Sequence, residues 1–269
     1  MKDCHLHSTV SHDGKSSILE YIAVAPEMGV DELTFTEHYD DYAGIETKLS
    51  TLDVEKYHKT FLEIQEKTDF PINFGIEIGL QPHITEQIKS MVKAYPFDFI
   101  IGSSHITRKK DMAYDKSFFE GLTRREAYMQ YFHEMLENIC LYDEFDVYGH
   151  MDYVVRYGGY AEKHIDYAEF AEILDEILLA LIKKDKGIEI NTSGLRYGLG
   201  YAHPHPEILK RYRELGGKII TIGSDAHKTA DLASGFREAT AFLEAVGFHE
   251  VAFYRKRQPT FIKIKEFLK

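Results

Sequence analysis

Residues Lys218–His227 read KIITIGSDAH. Ile219, Ile220 and Ile222 form an apolar, β-branched run that is too short for a helix and suits a buried strand. It closes on two small residues, Gly223 and Ser224, and passes directly into Asp225 and His227. The same arrangement recurs upstream as FDFIIGSSH over Phe97–His105 and FDVYGH over Phe145–His150. An apolar strand that ends on a metal- or anion-capable residue fits the wall of an α/β barrel. In such barrels the strand C-termini converge on the active site.

Outward from these three segments, four more strand-like runs appear: Asp3–His7, Leu33–His38, Ile72–Ile78 and Gly187–Asn191. Amphipathic segments with apolar residues at i, i+3, i+4 and i+7 lie between them. Two open with capping boxes, Ser17 with Glu20 and Thr123 with Glu126. Leu174, Ile177, Leu178 and Leu181 share one helical face, with Gly187 as the expected helix stop. Alternating strand and helix implies parallel strands with crossover helices, and seven units without a linker imply a closed barrel. Val251–Tyr254 reads as an accessory strand and the terminal FIKIKEFLK as a closing helix. The 269 residues suit one domain spanning 1–269, since such a barrel needs about 250 residues.

The formal charge is −12, from 44 acidic against 32 basic residues. That balance repels polyanions and argues against a nucleic-acid partner; the RKRQ cluster at Arg255–Gln258 is too small to reverse it. Only two cysteines are present, Cys4 and Cys140, so neither a disulfide framework nor a Cys-rich zinc motif is available. MKDCHLHS at the N-terminus lacks an apolar signal core, and no run approaches membrane-spanning length. A reduced cytoplasmic setting without a membrane partner is expected.

Histidines number 14, and their placement carries the chemistry. His5 and His7 flank Leu6, so on a strand both imidazoles share one face and can chelate one divalent ion. His38 follows LTFTE. Glu77 sits within the apolar run INFGIEIG, where burial costs several kcal/mol unless the carboxylate is paired or binds metal; its two oxygens suit it to bridge two ions. His105 and His150 follow small residues that leave room for a ligand or ion, and Asp225 and His227 close the seventh strand. Glu189 and Asn191 end the sixth and could orient donors or a substrate amine. His203 and His205, in YAHPHP, suit either the mouth of the barrel or a helix cap.

The motifs HLH, TEH, GIE, SSH, GH and GSDAH, in this order along the whole chain, resemble those of the PHP (polymerase and histidinol phosphatase) superfamily. Within it, YGHMDYVVRYG and EINTSGLR are most similar to the histidinol-phosphate phosphatases. The resemblance implies a distorted (β/α)7 barrel, TIM-barrel-like, with a trinuclear centre of Zn, Mn or Fe. Carried over residue by residue, His5, His7, Glu77 and Asp225 would hold the first ion. Glu77 would bridge to a second, held with His105 and His150. His38 and His227 would hold the third with a residue of the loop STVSHDG, either Asp13, which precedes Gly14, or His12.

The implied reaction is hydrolysis of L-histidinol phosphate to L-histidinol and inorganic phosphate, a step of histidine biosynthesis. A hydroxide bridging the first two ions would be the nucleophile, with Asp225 as proton acceptor and the third ion neutralising phosphoryl charge. Arg156 and Arg196, beyond strand ends on the same side, would grip the phosphate. Two rival readings stand beside this one. The first is another phosphoesterase of the superfamily, acting on nucleotides or phosphotyrosine. The second is an amidohydrolase-type metal hydrolase, whose barrel also opens with HxH.

Overall fold

Seven parallel strands lie side by side in the order β1-β2-β3-β4-β7-β8-β9. They are β1 (Lys2–Leu6), β2 (Glu32–Tyr39), β3 (Ile72–Gly79), β4 (Phe99–Ser103), β7 (Val147–Tyr148), β8 (Gly187–Asn191) and β9 (Ile220–Gly223). The structure, a computed structural model, describes residues 1–45, 47 and 49–268. A short hairpin of β5 (Ile106–Thr107) and β6 (Lys110–Asp111) follows β4. Just past their ends, β1 and β9 meet: the Asp225 amide donates to the His5 carbonyl at 2.9 Å and the His7 amide to the Ala226 carbonyl at 2.9 Å. The sheet therefore comes round on itself as the expected (β/α)7 barrel.

The crossover helices follow the predicted periodicity. Among them are α1 (Ile18–Val24), α2 (Val54–Gln65), α3 (Thr85–Ala94), α4 (Arg124–Leu141) and α5 (Tyr167–Lys183). Beyond these lie α6 (Ser193–Arg196), α7 (Pro206–Glu214), α8 (Phe236–Ala245) and α9 (Ile264–Phe267). Both capping boxes form at the starts of α1 and α4. Leu174, Ile177, Leu178 and Leu181 are buried against the barrel on one face of α5. Gly187 does not end that helix. Asp185, in the left-handed region at φ 54°, turns the chain, and Gly187 opens β8. None of the described helices is long and apolar enough to cross a membrane.

The C-terminus departs from expectation. Gln258–Lys263 is a strand, β11, paired antiparallel with β10 (Glu250–Arg255), and among the described residues of FIKIKEFLK only Ile264–Phe267 is helical. Lys256 and Arg257, at φ 51° and 63°, make the tight turn between them. Two successive left-handed residues match the twist of a hairpin, and this long-range pairing overrides the local helical reading. Arg255 binds Glu32 at 3.0 Å and Arg257 binds Asp146 at 2.6 Å. Both acids precede or open barrel strands, so the RKRQ cluster lies at the end of the barrel opposite the strand C-termini.

Candidate active site

The strands deliver their terminal side chains to one point. In the parallel register His38 of β2 sits beside Glu77 of β3, so the two side chains emerge at the same height. Glu77 is fully buried. Its Oε1 lies 2.8 Å from His150 Nε2 and 3.3 Å from His105 Nε2, and accepts a bond from Ser103 Oγ at 2.6 Å. Its Oε2 lies 2.9 Å from His38 Nδ1, 3.2 Å from His5 Nε2 and 3.4 Å from His7 Nε2. Each oxygen thus faces a different set of imidazoles.

Three pairs of imidazole nitrogens face one another around Glu77. His5 Nε2 and His7 Nε2 are 3.0 Å apart, His105 Nε2 and His150 Nε2 3.3 Å, and His38 Nε2 and His227 Nε2 3.4 Å. Two nitrogens that each bind one tetrahedral zinc ion at about 2.05 Å lie roughly 3.3 Å apart, so every pair has the spacing of two ligands on a shared ion. Glu77 Oε2, His38 Nδ1 and Asp13 Oδ1 are buried without a hydrogen-bond partner, although the first two are neighbours at 2.9 Å. Carboxylate and imidazole atoms buried without hydrogen bonds that satisfy them fit a cation. Asp225 Oδ1 lies 3.4 Å from His7 Nε2 and joins His5 and His7 as one group of donors. His7, His38 and His227 form a second group, and His38, Glu77 and His105 a third.

The loop after β1 settles its position through Glu37. Ser8 and Ser11 each donate a backbone N–H and a hydroxyl to this buried carboxylate, the hydroxyls at 2.5 Å. Gly14 packs so tightly on the Ser8 carbonyl that a Cβ has no room. The loop so folded brings Asp13 Oδ2 to 3.1 Å from His227 Nε2 and 3.7 Å from His38 Nε2. His12 borders the same cavity, but its Nε2 pairs with the Tyr114 hydroxyl at 3.4 Å.

A second layer of acids grips the far side of the imidazoles. His5 Nδ1 donates to Glu189 at 2.6 Å and His105 Nδ1 to Asp40 at 3.1 Å. Asn191 Nδ2 donates to Glu189 at 3.1 Å and to Asp225 at 3.4 Å. Such bonds fix the tautomer and turn Nε2 toward the centre. Asp40 escaped the sequence reading, although its place two residues after His38 was a usable signal. Glu37, beside His38 in TEH, gave no sign that it would fold a loop.

The electrostatics follow from this crowding. Burial opposes charge on Glu77, but His5, His105 and His38 outweigh it and hold the carboxyl well below its ordinary range. Asp225 is likewise held low, against burial, by His5, His7 and His227. Burial also opposes charge on His38, yet Glu77 and Asp13 push the imidazole up to about 9. His7, buried and facing His38 and His227, falls to about 4.

Arg156 lines the cavity, with Tyr153, Tyr157, Tyr197, Asp40 and Asp111 among the other walls. Its Nη2 lies 3.8 Å from Asp225 Oδ2. Arg196 lies behind that wall rather than in it. Its Nη2 donates to the carbonyls of Ser224 at 2.7 Å and Asp225 at 2.9 Å, and its Nη1 is buried without a partner. His205 caps α7, while His203 is buried behind Arg156. The room beside the strand-end glycines is taken by protein rather than by a ligand: at Gly102 by Leu80 and Phe145, at Gly149 by Ile101 and Ser103.

A family model of the PHP domain matches residues 3–193. The chain belongs to the PHP domain family. It is 32% identical over 255 residues to a probable histidinol-phosphatase of Clostridium acetobutylicum, covering 95% of this chain and 97% of that one. It is also 32% identical over 255 residues to the histidinol-phosphatase of Lactococcus lactis, covering 94% and 93%. The crystal structure of histidinol phosphate phosphatase from Lactococcus lactis, complexed with Zn, L-histidinol and phosphate, superposes with a TM-score of 0.86. That match has 30% identity and covers 96% of this chain and 98% of the other.

Proposed function

We propose that this PHP-family chain hydrolyses L-histidinol phosphate to L-histidinol and inorganic phosphate, residues 1–269 acting as one phosphoesterase domain on three metal ions. The observation that carries this reading is the set of three facing Nε2 pairs around Glu77, beneath a cavity bordered by Arg156. The L-histidinol and phosphate bound by the Lactococcus lactis structure support the choice of substrate.

In this reading His5, His7, Glu77 and Asp225 hold the first ion, Glu77, His105 and His150 the second, and His38, His227 and Asp13 the third. Asp13 is preferred to His12 because its oxygen is the one within 3.1 Å of His227. Zn, Mn and Fe all accept this set of imidazoles and carboxylates. Bound ions supply Lewis acidity, which acidifies water and draws charge from a phosphoryl group. Arg156 contributes a guanidinium beside the same point, and Arg196, expected as a second phosphate donor, instead braces the chain at Asp225 through the Ser224 and Asp225 carbonyls. Asp225, held ionised next to His7, is the group placed to take a proton from attacking water. Asp40 and Asp111 on the wall suit a cationic substrate.

Steady-state kinetics on histidinol phosphate beside p-nitrophenyl phosphate, mononucleotides, phosphotyrosine and an amide panel test the assignment. The expected result is a kcat/KM for histidinol phosphate at least about 100-fold above the generic ester, a difference near 2.7 kcal/mol in transition-state binding. Equal rates on all monoesters would remove the substrate assignment. Turnover of amides alone would remove the phosphatase reading.

A further inference from the structure

We propose that Asp152 and His203 are positioning residues that aim the guanidinium of Arg156 at the phosphoryl group; the inference rests on the reading of Arg156 as a phosphate donor. Both side chains are fully buried, and neither belongs to the three donor sets. Asp152 accepts from His203 Nδ1 with one oxygen and, at 3.0 Å, from the His205 amide with the other. On the opposite side of the ring, Arg156 Nε donates to His203 Nε2 at 2.9 Å. His203 is itself tied to β8 by a reciprocal backbone pair with Asn191, at 2.7 and 2.8 Å.

An arginine Nε–H can only donate, so the Nε2 that receives it carries no proton and the ring hydrogen must sit on Nδ1. That is the tautomer the Asp152 carboxylate demands, and the two contacts enforce one another. Burial and the adjacent guanidinium hold the His203 imidazole below its ordinary pKa, which keeps it neutral. The far end of the guanidinium is fixed as well. Nη2 donates to Ser193 Oγ at 2.5 Å, and Tyr153 and Tyr197 lie over the group with their ring centroids 5.0 and 4.2 Å from it. Among the described residues no hydrogen bond reaches Nη1, which is the donor left for a ligand. A long side chain pinned at Nε, Nη2 and its faces loses little further freedom when it grips an anion.

The chemistry predicts a signature that a packing role would not produce. His203→Ala removes the Nε2 acceptor. His203→Gln can keep a donor toward Asp152 and an acceptor toward Arg156. Asp152→Asn offers an amide hydrogen to Nδ1, which drives the ring proton to Nε2, against the guanidinium. The measurements are KM and kcat for histidinol phosphate, the inhibition constant of inorganic phosphate, and metal content by elemental analysis. For His203→Ala and Asp152→Asn, KM and the phosphate inhibition constant rise about tenfold, the lower end for loss of an outer hydrogen-bond partner. In both, kcat changes less and metal content is unchanged. His203→Gln stays within about threefold of the parent, because both hydrogen bonds survive.

Equal impairment of the Gln and Ala variants, or loss of metal with unchanged phosphate inhibition, would overturn the proposal. Should His203→Ala fail to fold, His203→Gln and Asp152→Asn decide it by the same criteria. Arg156→Ala separates this inference from the reading beneath it. If that variant leaves phosphate inhibition unchanged, the phosphate role of Arg156 fails and the relay with it. If it weakens phosphate binding while His203→Ala and Asp152→Asn do not, only the relay fails.

Discussion

Glu77 is a carboxylate that faces no water, and two properties make it tolerable there. Its oxygens are each shared among imidazoles on different strands, and the resulting field holds it ionised. The same logic separates Asp13 from His12. Asp13 Oδ1 is buried without a partner while Oδ2 faces His227 and His38; His12 is engaged with Tyr114. Asp13→Asn should therefore reduce bound metal by one equivalent per chain, and His12→Gln should leave the stoichiometry unchanged, as read by elemental analysis after dialysis. The reverse pattern would assign the ligand to His12. At this scale most candidate ligands were legible because they end or closely follow a strand run, while Asp13, in the loop after β1, was legible only as an alternative to His12. Glu189 was legible as a group that could orient donors, but the pairings were not, since Glu189 lies 184 residues from His5 and Asp40 65 residues from His105.

The strand ends are where the elements do their positioning, and small residues there serve packing. A Cβ on Gly223 would run into His5 Cβ and Glu189 Oε1, so β9 approaches β1 and β8 only because that atom is missing. Gly223→Ala should push His5 and Glu189 apart. Destabilisation of about 1–3 kcal/mol is expected, the usual result of overfilling a close-packed interior, together with weaker metal binding although Gly223 is no ligand. Urea titration and metal-binding titration would measure the two effects; a variant normal in both would show that the approach is not required. The repeated FDFIIGSSH, FDVYGH and ITIGSDAH patterns announced strands and their ends. They did not reveal that β7 shrinks to two residues, or that Phe261–Lys263 joins a hairpin. Pairing partners decided both, and the local sequence holds no record of them.

At the scale of the whole molecule, the proposed metal cluster should act on stability as well as on reactivity. Buried carboxylates and facing imidazoles tolerate one another better with cations between them. Ligands bound to the native state alone stabilise by about 4 kcal/mol at a thousandfold excess over Kd, which corresponds to a Tm shift of roughly 10 °C for a chain of this size. Chelation should lower the thermal midpoint by that order, and re-addition of Zn, Mn or Fe should restore it, as read by calorimetry. An unchanged midpoint with metal demonstrably removed would contradict a centre that links the strands. The RKRQ turn is held by Glu32 and Asp146 at the far end of the barrel, away from the cavity.

Alternation of apolar runs with amphipathic helices was enough, by itself, to determine the barrel class. The position of His, Asp and Glu at the run ends was enough to name candidate ligands, because periodicity and strand-end chemistry are local properties of the chain. Only the tertiary structure decided which imidazoles face each other, that Asp13 rather than His12 approaches His227, that Glu37 folds the first loop, and that Asp152 and His203 stand behind Arg156. Those choices depend on side chains that meet across the barrel within hydrogen-bond distance. Such meetings are set by register and close packing between strands, and spacing along the chain does not encode them.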